Sequence, residues 1–285
     1  METHQPNRYY LYEDLVFYAR QLASTIAQDT QILGVAGVPR SGMLAATAAA
    51  IHLGVPLFEA RPDGLRDMSH GRRLDNIRQN GRIVIMEDSL NTGRRFDQLK
   101  SRLGDRYIYA SVFSTPQSVS KAHYVAVELQ LPHWFDWWLF GSRYLNMSRI
   151  GLDFDGILCG DCPPSKDTDD DQYREWMASV LPIRHAWPYG APVVITGRLE
   201  KYRSTTEDWL KRNRQKIGTL AFGPWNSIAE RRRGGIAMHK AKMAKELKLT
   251  AFIESDARQA QQIAELARIP VACPEARIVY GQATI

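Results

Sequence analysis

Two carboxylates, Glu87 and Asp88, stand side by side directly after the apolar run 83–86 and shortly before Asn91, Thr92 and Gly93. The run reads as a buried strand with the acids at its carboxyl end, and the polar loop opens a helix over 94–103 that begins Arg94-Arg95. Such an arrangement suits a ribose phosphate. The carboxylates accept hydrogen bonds from hydroxyls, while loop N–H groups and the helix N-terminus hold a phosphate. Further up the chain, Gly37-Val38-Pro39-Arg40-Ser41-Gly42 joins a strand at 31–38 to a helix at 43–53. Its two glycines permit a tight turn with convergent N–H groups, and Arg40 adds charge, which makes it an anion-binding loop by construction.

The second half carries another acidic strand end. A short strand at 149–152 runs into Asp153-Phe154-Asp155-Gly156. Carboxylates two residues apart on extended chain point to the same side, where they would share a Mg²⁺ ion or divide nucleophile and acid roles. Downstream come a strand ending in the hydroxyl of Thr196, a helix containing 205–210, a strand near Leu220, a basic helix with Lys240 and Lys242, and a strand that ends in Glu254-Ser255-Asp256.

The first of these patterns resembles the signature of type I phosphoribosyltransferases: apolar strand, two acids, a few residues, then Thr-Gly. The resemblance implies a 5-phosphoribosyl pyrophosphate (PRPP) site. Glu87 and Asp88 would hold ribose hydroxyls, and the stretch Asn91, Thr92, Gly93, Arg94 and Arg95 the 5-phosphate. Arg40, Ser41 and Gly42 would meet the pyrophosphate. Arg95 departs from the signature, which ends in Thr. A polar, basic segment at 61–80 with Gly64, Arg66, Gly71, Arg72 and Arg73 resembles the family's mobile loop, which closes over PRPP and excludes water. Trp134, Phe135, Trp137 and Trp138 would stack on an acceptor base or pack a domain junction.

The four strand-end motifs of residues 147–285 resemble the haloacid dehalogenase (HAD) superfamily of phosphohydrolases. That resemblance implies Asp153 as nucleophile, Asp155 as general acid and base, Thr196 on the phosphoryl oxygens, and Lys240 as the balancing charge, with Lys242 its rival. Asp153 and the backbone carbonyl of Asp155, with Glu254 or Asp256, would bind Mg²⁺. Only about 35 residues separate the first two motifs, too few for a large cap domain.

Strands alternating with helices in both halves predict an α/β chain of two open, largely parallel sheets, one over 1–146 and one over 147–285, with ligands at the carboxyl ends of strands. A length of 285 residues suits two domains, and 44% hydrophobic with 24% charged residues is ordinary for a globular chain. No apolar run is long enough to span a bilayer and no signal-peptide pattern opens the chain, so a cytoplasmic protein without membrane partners is expected. Three cysteines make no disulfide framework, and Cys159-Gly160-Asp161-Cys162 lacks companion ligands for zinc. The net charge of +6 suits anionic ligands and is too mild to imply nucleic acid. Arg231, Arg232 and Arg233 read as a solvated loop, and the acidic stretch 167–171 as a solvated loop and helix start.

The expected activity is phosphoribosyl transfer between PRPP and a base or amine, coupled to Mg²⁺-dependent hydrolysis of a nucleotide-like phosphomonoester. The alternative is a nucleotide-sensing or effector module of a bacterial stress or phage-defence system, working with partner proteins and binding without turnover. The phosphoribosyltransferase resemblance implies a homodimer through the first domain.

Overall fold

The computed structural model describes residues 8–68, 81–139, 149–184 and 192–281. The chain divides into two compact units, Leu11–Gln130 and residues 8–10 with the chain from Leu131 on. The expected boundary at 146/147 lies outside the described residues.

A two-residue strand β1 (Tyr9–Tyr10) precedes the first unit. Helix α1 (Tyr12–Asp29) buries the stripe Leu15, Ala19, Leu22, Ala23 and Ile26, and the Asp14 carboxylate accepts the Leu11 N–H at its start. Strand β2 (Ile32–Gly37) leads to α2 (Gly42–Leu53), whose buried face is alanine, so it lies close on the sheet. There follow β3 (Leu57–Arg61), β4 (Gly64–Asp67), β5 (Arg82–Leu90), α3 (Arg94–Leu103), β6 (Ile108–Ser114), a 3-10 turn (Pro116–Lys121) and β7 (Tyr124–Glu128). The six strands are ordered β4-β3-β2-β5-β6-β7, and only the β3–β4 pair is antiparallel. Successive strands are laid to one side from β2 to β4 and to the other from β5 to β7. The order therefore reverses between β2 and β5, which opens a crevice at their carboxyl ends.

In the second unit, β8 (Trp134–Phe135) pairs with β1, and a short helix α4 (Asp136–Leu139) follows. Then come β9 (Ile150–Leu152), α5 (Asp171–Ser179), β10 (Val193–Leu199), α6 (Arg203–Arg212), β11 (Thr219–Gly223), α7 (Ile228–Arg232), α8 (Ile236–Glu246), β12 (Ala251–Ile253), α9 (Ala257–Ala267), β13 (Val271–Cys273) and β14 (Ile278–Tyr280). The order is β11-β10-β9-β12-β13-β14, parallel except for β14. Here the reversal falls at β9, between β10 and β12. Both sheets are thus α/β and mostly parallel.

Three expectations need correcting. Strand β5 does not stop at Met86 but runs to Leu90, because Glu87, Ser89 and Leu90 stay in register with Ser111, Phe113 and Ser114 of the wholly buried β6. Backbone pairing carries polar side chains along with it. The segment 61–80 is not loop throughout, since β4 turns back on β3 as a hairpin; 69–80, with Gly71, Arg72 and Arg73, lies outside the described residues. For the aromatic segment the packing alternative fits, since Phe135 and Trp137 are buried and stacked at 4.7 Å within the compact unit that contains them. Finally, the charged runs are not simply solvated. Arg231 grips Asp167 at 2.5 and 2.7 Å, and Lys201 meets Asp169 at 2.5 Å, so opposite charges of separate segments meet each other. Asp170 does cap α5, accepting the Gln172 N–H.

Candidate functional site

In the first unit, Gly37 of β2 stands in register with Met86 of β5, and the Val38 N–H continues the ladder to the Met86 carbonyl at 3.0 Å. The 37–42 loop and the 87–93 segment are therefore neighbours at the crevice. Gly42 packs closely there: a Cβ would stand 3.0 Å from both Glu87 Oε1 and the Met86 carbonyl, and these would have to give by a few tenths of an ångström. Glu87 and Asp88 are buried. Burial, and next the adjacent Asp88, push the Glu87 pKa well above its ordinary value, while Arg95 opposes the rise. The departure from the family signature at position 95 thus has an electrostatic partner within the motif.

The loop beyond the acids is fixed by its backbone. The Asn91 carbonyl accepts the hydroxyls of Thr115 at 2.8 Å and Ser118 at 2.7 Å. Gly93 caps α3 at φ 68° with no side-chain hydrogen bond to the first turn, and the Lys121 side chain occupies the space a Cβ would need. Asn91, Thr92, Arg94 and Arg95 are exposed, as is Arg40, with Ser41 half-buried. A helix start without a side-chain cap, flanked by exposed arginines, is chemically suited to an anion.

In the second unit, Asp153 leaves β9 with its N–H bonded to the Ile253 carbonyl at 2.9 Å, which aligns it with Glu254 at the end of β12. Lys240 of α8 reaches both acids, at 2.8 Å to Asp153 and 2.6 Å to Glu254, and is almost fully buried. Burial works against the lysine charge, but the two carboxylates outweigh it and raise the pKa. Burial and then Asp153 push Glu254 up to about 8, with Lys240 opposing. Lys242, the sequence rival, is exposed and lies 3.8 Å from Glu246.

Asp155 is held by Arg198, whose Nε lies at 3.1 Å and Nη2 at 2.6 Å from its two oxygens. Arg198 is fully buried, stacks 3.9 Å from the Phe154 ring centroid, and donates to Thr206. Gly156 (φ +75°) is obligatory: a Cβ would strike the Ser255 hydroxyl, which donates to the Asp155 carbonyl at 3.2 Å. Thr196 is wholly buried with its oxygen accepting the Arg198 N–H, and its neighbour Gly197 lines the cleft instead. Asp256 is spent as the cap of α9, accepting the Gln259 N–H at 2.8 Å.

Asp153, Asp155, Gly197, Lys240, Glu254, Ser255 and Asp256 line a cleft of about 450 Å³ together with Asp161, Arg231 and Glu275. Burial, and next Asp155 and Asp153, raise the Asp161 pKa. Cys159 lies buried against Asp155 at 3.4 Å. The expected Mg²⁺ shell does not form as a carboxylate cluster: among the described residues no three His, Cys, Asp or Glu side chains gather to hold a metal. The reason is that each acid is already engaged, Asp153 and Glu254 by Lys240, Asp155 by Arg198 and Asp256 by its helix. Sequence reasoning missed Arg198 and Arg231. The Thr196-Gly197-Arg198 run put the first in view, but nothing local marks a buried ion pair across 43 residues.

No family model matches the chain, and no curated protein does. Among solved structures the chain is similar to a purine phosphoribosyltransferase from Pyrococcus horikoshii, with 17% identity over 47% of this chain and 95% of that one, at a TM-score of 0.34. It is similar also to the Helicobacter pylori xanthine-guanine-hypoxanthine phosphoribosyltransferase (16%, 46% and 93%, TM-score 0.34). A third is orotate phosphoribosyltransferase from Aeropyrum pernix (16%, 40% and 67%, TM-score 0.30). At such identities and scores a likeness says nothing of chemistry, which has to come from the residues themselves. Among the described residues no helix is long and apolar enough to cross a membrane.

Proposed function

We propose that the chain is a two-site enzyme of nucleotide metabolism, transferring a phosphoribosyl group in the first unit and hydrolysing a phosphomonoester in the second. The observation that carries this reading is common to both units. Each sets its paired acids where the strand order reverses, beside a group suited to an anion: the 37–42 loop and α3 start in one, Lys240 in the other. In the first unit a base nitrogen would attack C1 of PRPP. The C1–O bond breaks, its electron pair leaves with pyrophosphate, and the nitrogen loses its proton to solvent. Glu87 and Asp88 would fix the ribose hydroxyls, Thr92 to Arg95 the 5-phosphate, and Arg40 the pyrophosphate.

In the second unit an Asp153 oxygen would attack phosphorus. The P–O ester bond breaks, and the departing alcohol oxygen takes a proton from Asp155. Water then attacks the aspartyl phosphate, gives its proton to Asp155, and releases phosphate with Asp153 restored. Lys240 balances the charge of nucleophile and phosphoryl group throughout. The Asp153 and Glu254 carboxylates and the Asp155 carbonyl are hard oxygen donors of the kind Mg²⁺ takes, and would hold it where Lys240 gave up part of its contact with the two acids. When bound it would neutralise phosphoryl charge. Coupling the two activities, so that the second unit consumes the first unit's nucleotide, is part of the proposal.

The Arg198 fork on Asp155 favours a second reading, in which the site binds nucleotide without turnover and acts as a sensor or defence effector. That fork occupies both Asp155 oxygens, the atoms a general acid would use. Phosphate release from a panel of 5′-nucleotides and ribose phosphates with Mg²⁺ decides between them. Release that Asp153→Asn abolishes supports hydrolysis; no release, with PRPP or nucleotide binding retained in calorimetry, supports the sensor.

A further inference from the structure

The cleft at Asp153 does not end at the acids. Arg231, Ile236 and Gln259 line it and also line a neighbouring groove of about 600 Å³ between the α8 start and α9. The groove wall carries Met238 and Leu266, which are 64% and 44% exposed, Gln262 stands with Gln259 on the same turn-spaced face of α9, and Arg232 and Glu265 also line it. Large apolar side chains this exposed, continuous with a cleft in which Lys240 and Arg231 stand among six carboxylates, suit a ligand that brings a phosphoryl group to the cleft and apolar surface to the groove. The Gln259 carbonyl oxygen accepts Lys240 at 3.3 Å, which leaves its NH₂ to donate. Together with the Gln262 amide it offers donors and an acceptor beside a thioether, a combination suited to the edge and face of a flat heterocycle.

We infer that this groove is the leaving-group subsite of the second unit, and that it selects phosphomonoesters whose alcohol bears a planar, hydrogen-bonding ring, as in a nucleoside 5′-monophosphate. The inference rests on the phosphohydrolase reading above and adds the residues that set its selectivity. The phosphate sits at Asp153 and Lys240, the sugar passes Ile236 and Arg231, and the ring lies on Met238 and Leu266. Selection is then made by the helix that carries Lys240 and by α9.

The test compares kcat/KM for inosine or adenosine 5′-monophosphate with that for ribose 5-phosphate, which has the same phosphate and sugar and no ring. It uses the full chain and its Met238→Ser/Leu266→Ser variant. The native protein is expected to prefer the nucleotide at least about tenfold, and the variant to lose most of that ratio, because a removed apolar contact changes discrimination by about 10–200-fold. A native ratio near one, or a ratio the variant leaves unchanged, overturns the groove; if Asp153→Asn still abolishes release, the phosphohydrolase reading survives. Release that persists in Asp153→Asn overturns that reading itself. Calorimetry on the Asp153→Asn protein, with and without the two groove substitutions, reads the same ratio as affinity without turnover. Nucleotide affinity that does not respond to those substitutions overturns the groove there too.

Discussion

The two crevices of this chain have the same topology and opposite electrostatics. Both lie at a reversal of strand order and both bury acids near the carboxyl ends of strands. Among the described residues, however, the buried cations are Lys240 and Arg198, and both belong to the second unit. Glu87 and Asp88 are buried, and burial and then repulsion from Asp88 hold Glu87 towards its protonated form, with exposed Arg95 opposing. Asp153 and Glu254 share a lysine at the centre of their site. The difference separates two kinds of chemistry. A buried carboxyl held towards its protonated form, as Glu87 is, suits hydroxyls brought by a ligand, whereas Asp153 and Glu254 share a lysine that can also meet a phosphoryl group.

The largest effect that would break this comparison is expected at Lys240. Lys240→Met leaves two buried carboxylates facing each other, and should cost about 3–5 kcal/mol in chemical denaturation along with phosphate release. An unchanged denaturation midpoint would mean that the triad does not hold the second unit. In the first unit, Gly93→Ala should cost about 1–2 kcal/mol, since an L-residue is strained at this positive φ and the Lys121 side chain must move. PRPP affinity, read by calorimetry, should fall with it.

Glu87→Gln sharpens the contrast, because it should raise stability by about 1 kcal/mol where Lys240→Met lowers it. The pH dependence has a definite sign. With the Glu87 pKa raised in the fold, the folded protein binds more protons than the unfolded one, so this group's contribution is full at low pH. It is lost as pH rises from the ordinary value of 4.5 toward the folded value. Melting curves across that range should therefore converge for native and Glu87→Gln protein at low pH and separate as pH increases. A constant offset would remove Glu87 from the explanation. The smallest effect is expected for Lys242→Ala, within about 0.5 kcal/mol and without loss of phosphate release, since its side chain is exposed.

Much of the architecture was legible in order along the chain. The α3 bounds, the strand leading to Gly37, and the acids 153 and 254 directly after their strands follow from short-range pattern: apolar runs stopped by acids, and glycines at turns. Where the reading went astray, the cause was a partner distant in sequence. Strand β5 outran its apolar residues because β6 was there to pair with it. The basic run at 231–233 looked solvated until Asp167 was brought to it across 64 residues.

The sequence by itself determined which residue types stand at the ends of strands, since hydrophobic period and turn chemistry are local properties. Only the tertiary structure decided which charges are neutralised. Lys240 and Lys242 are two residues apart on one helix, and Lys240 is buried against acids from two strands while Lys242 is exposed. Helix periodicity allows either, and the choice is made by which face of α8 packs on the sheet. The same holds for Arg198, whose partner comes from the end of a different strand. Coulomb energy depends on separation in space and on burial, and neither is written in the order of residues.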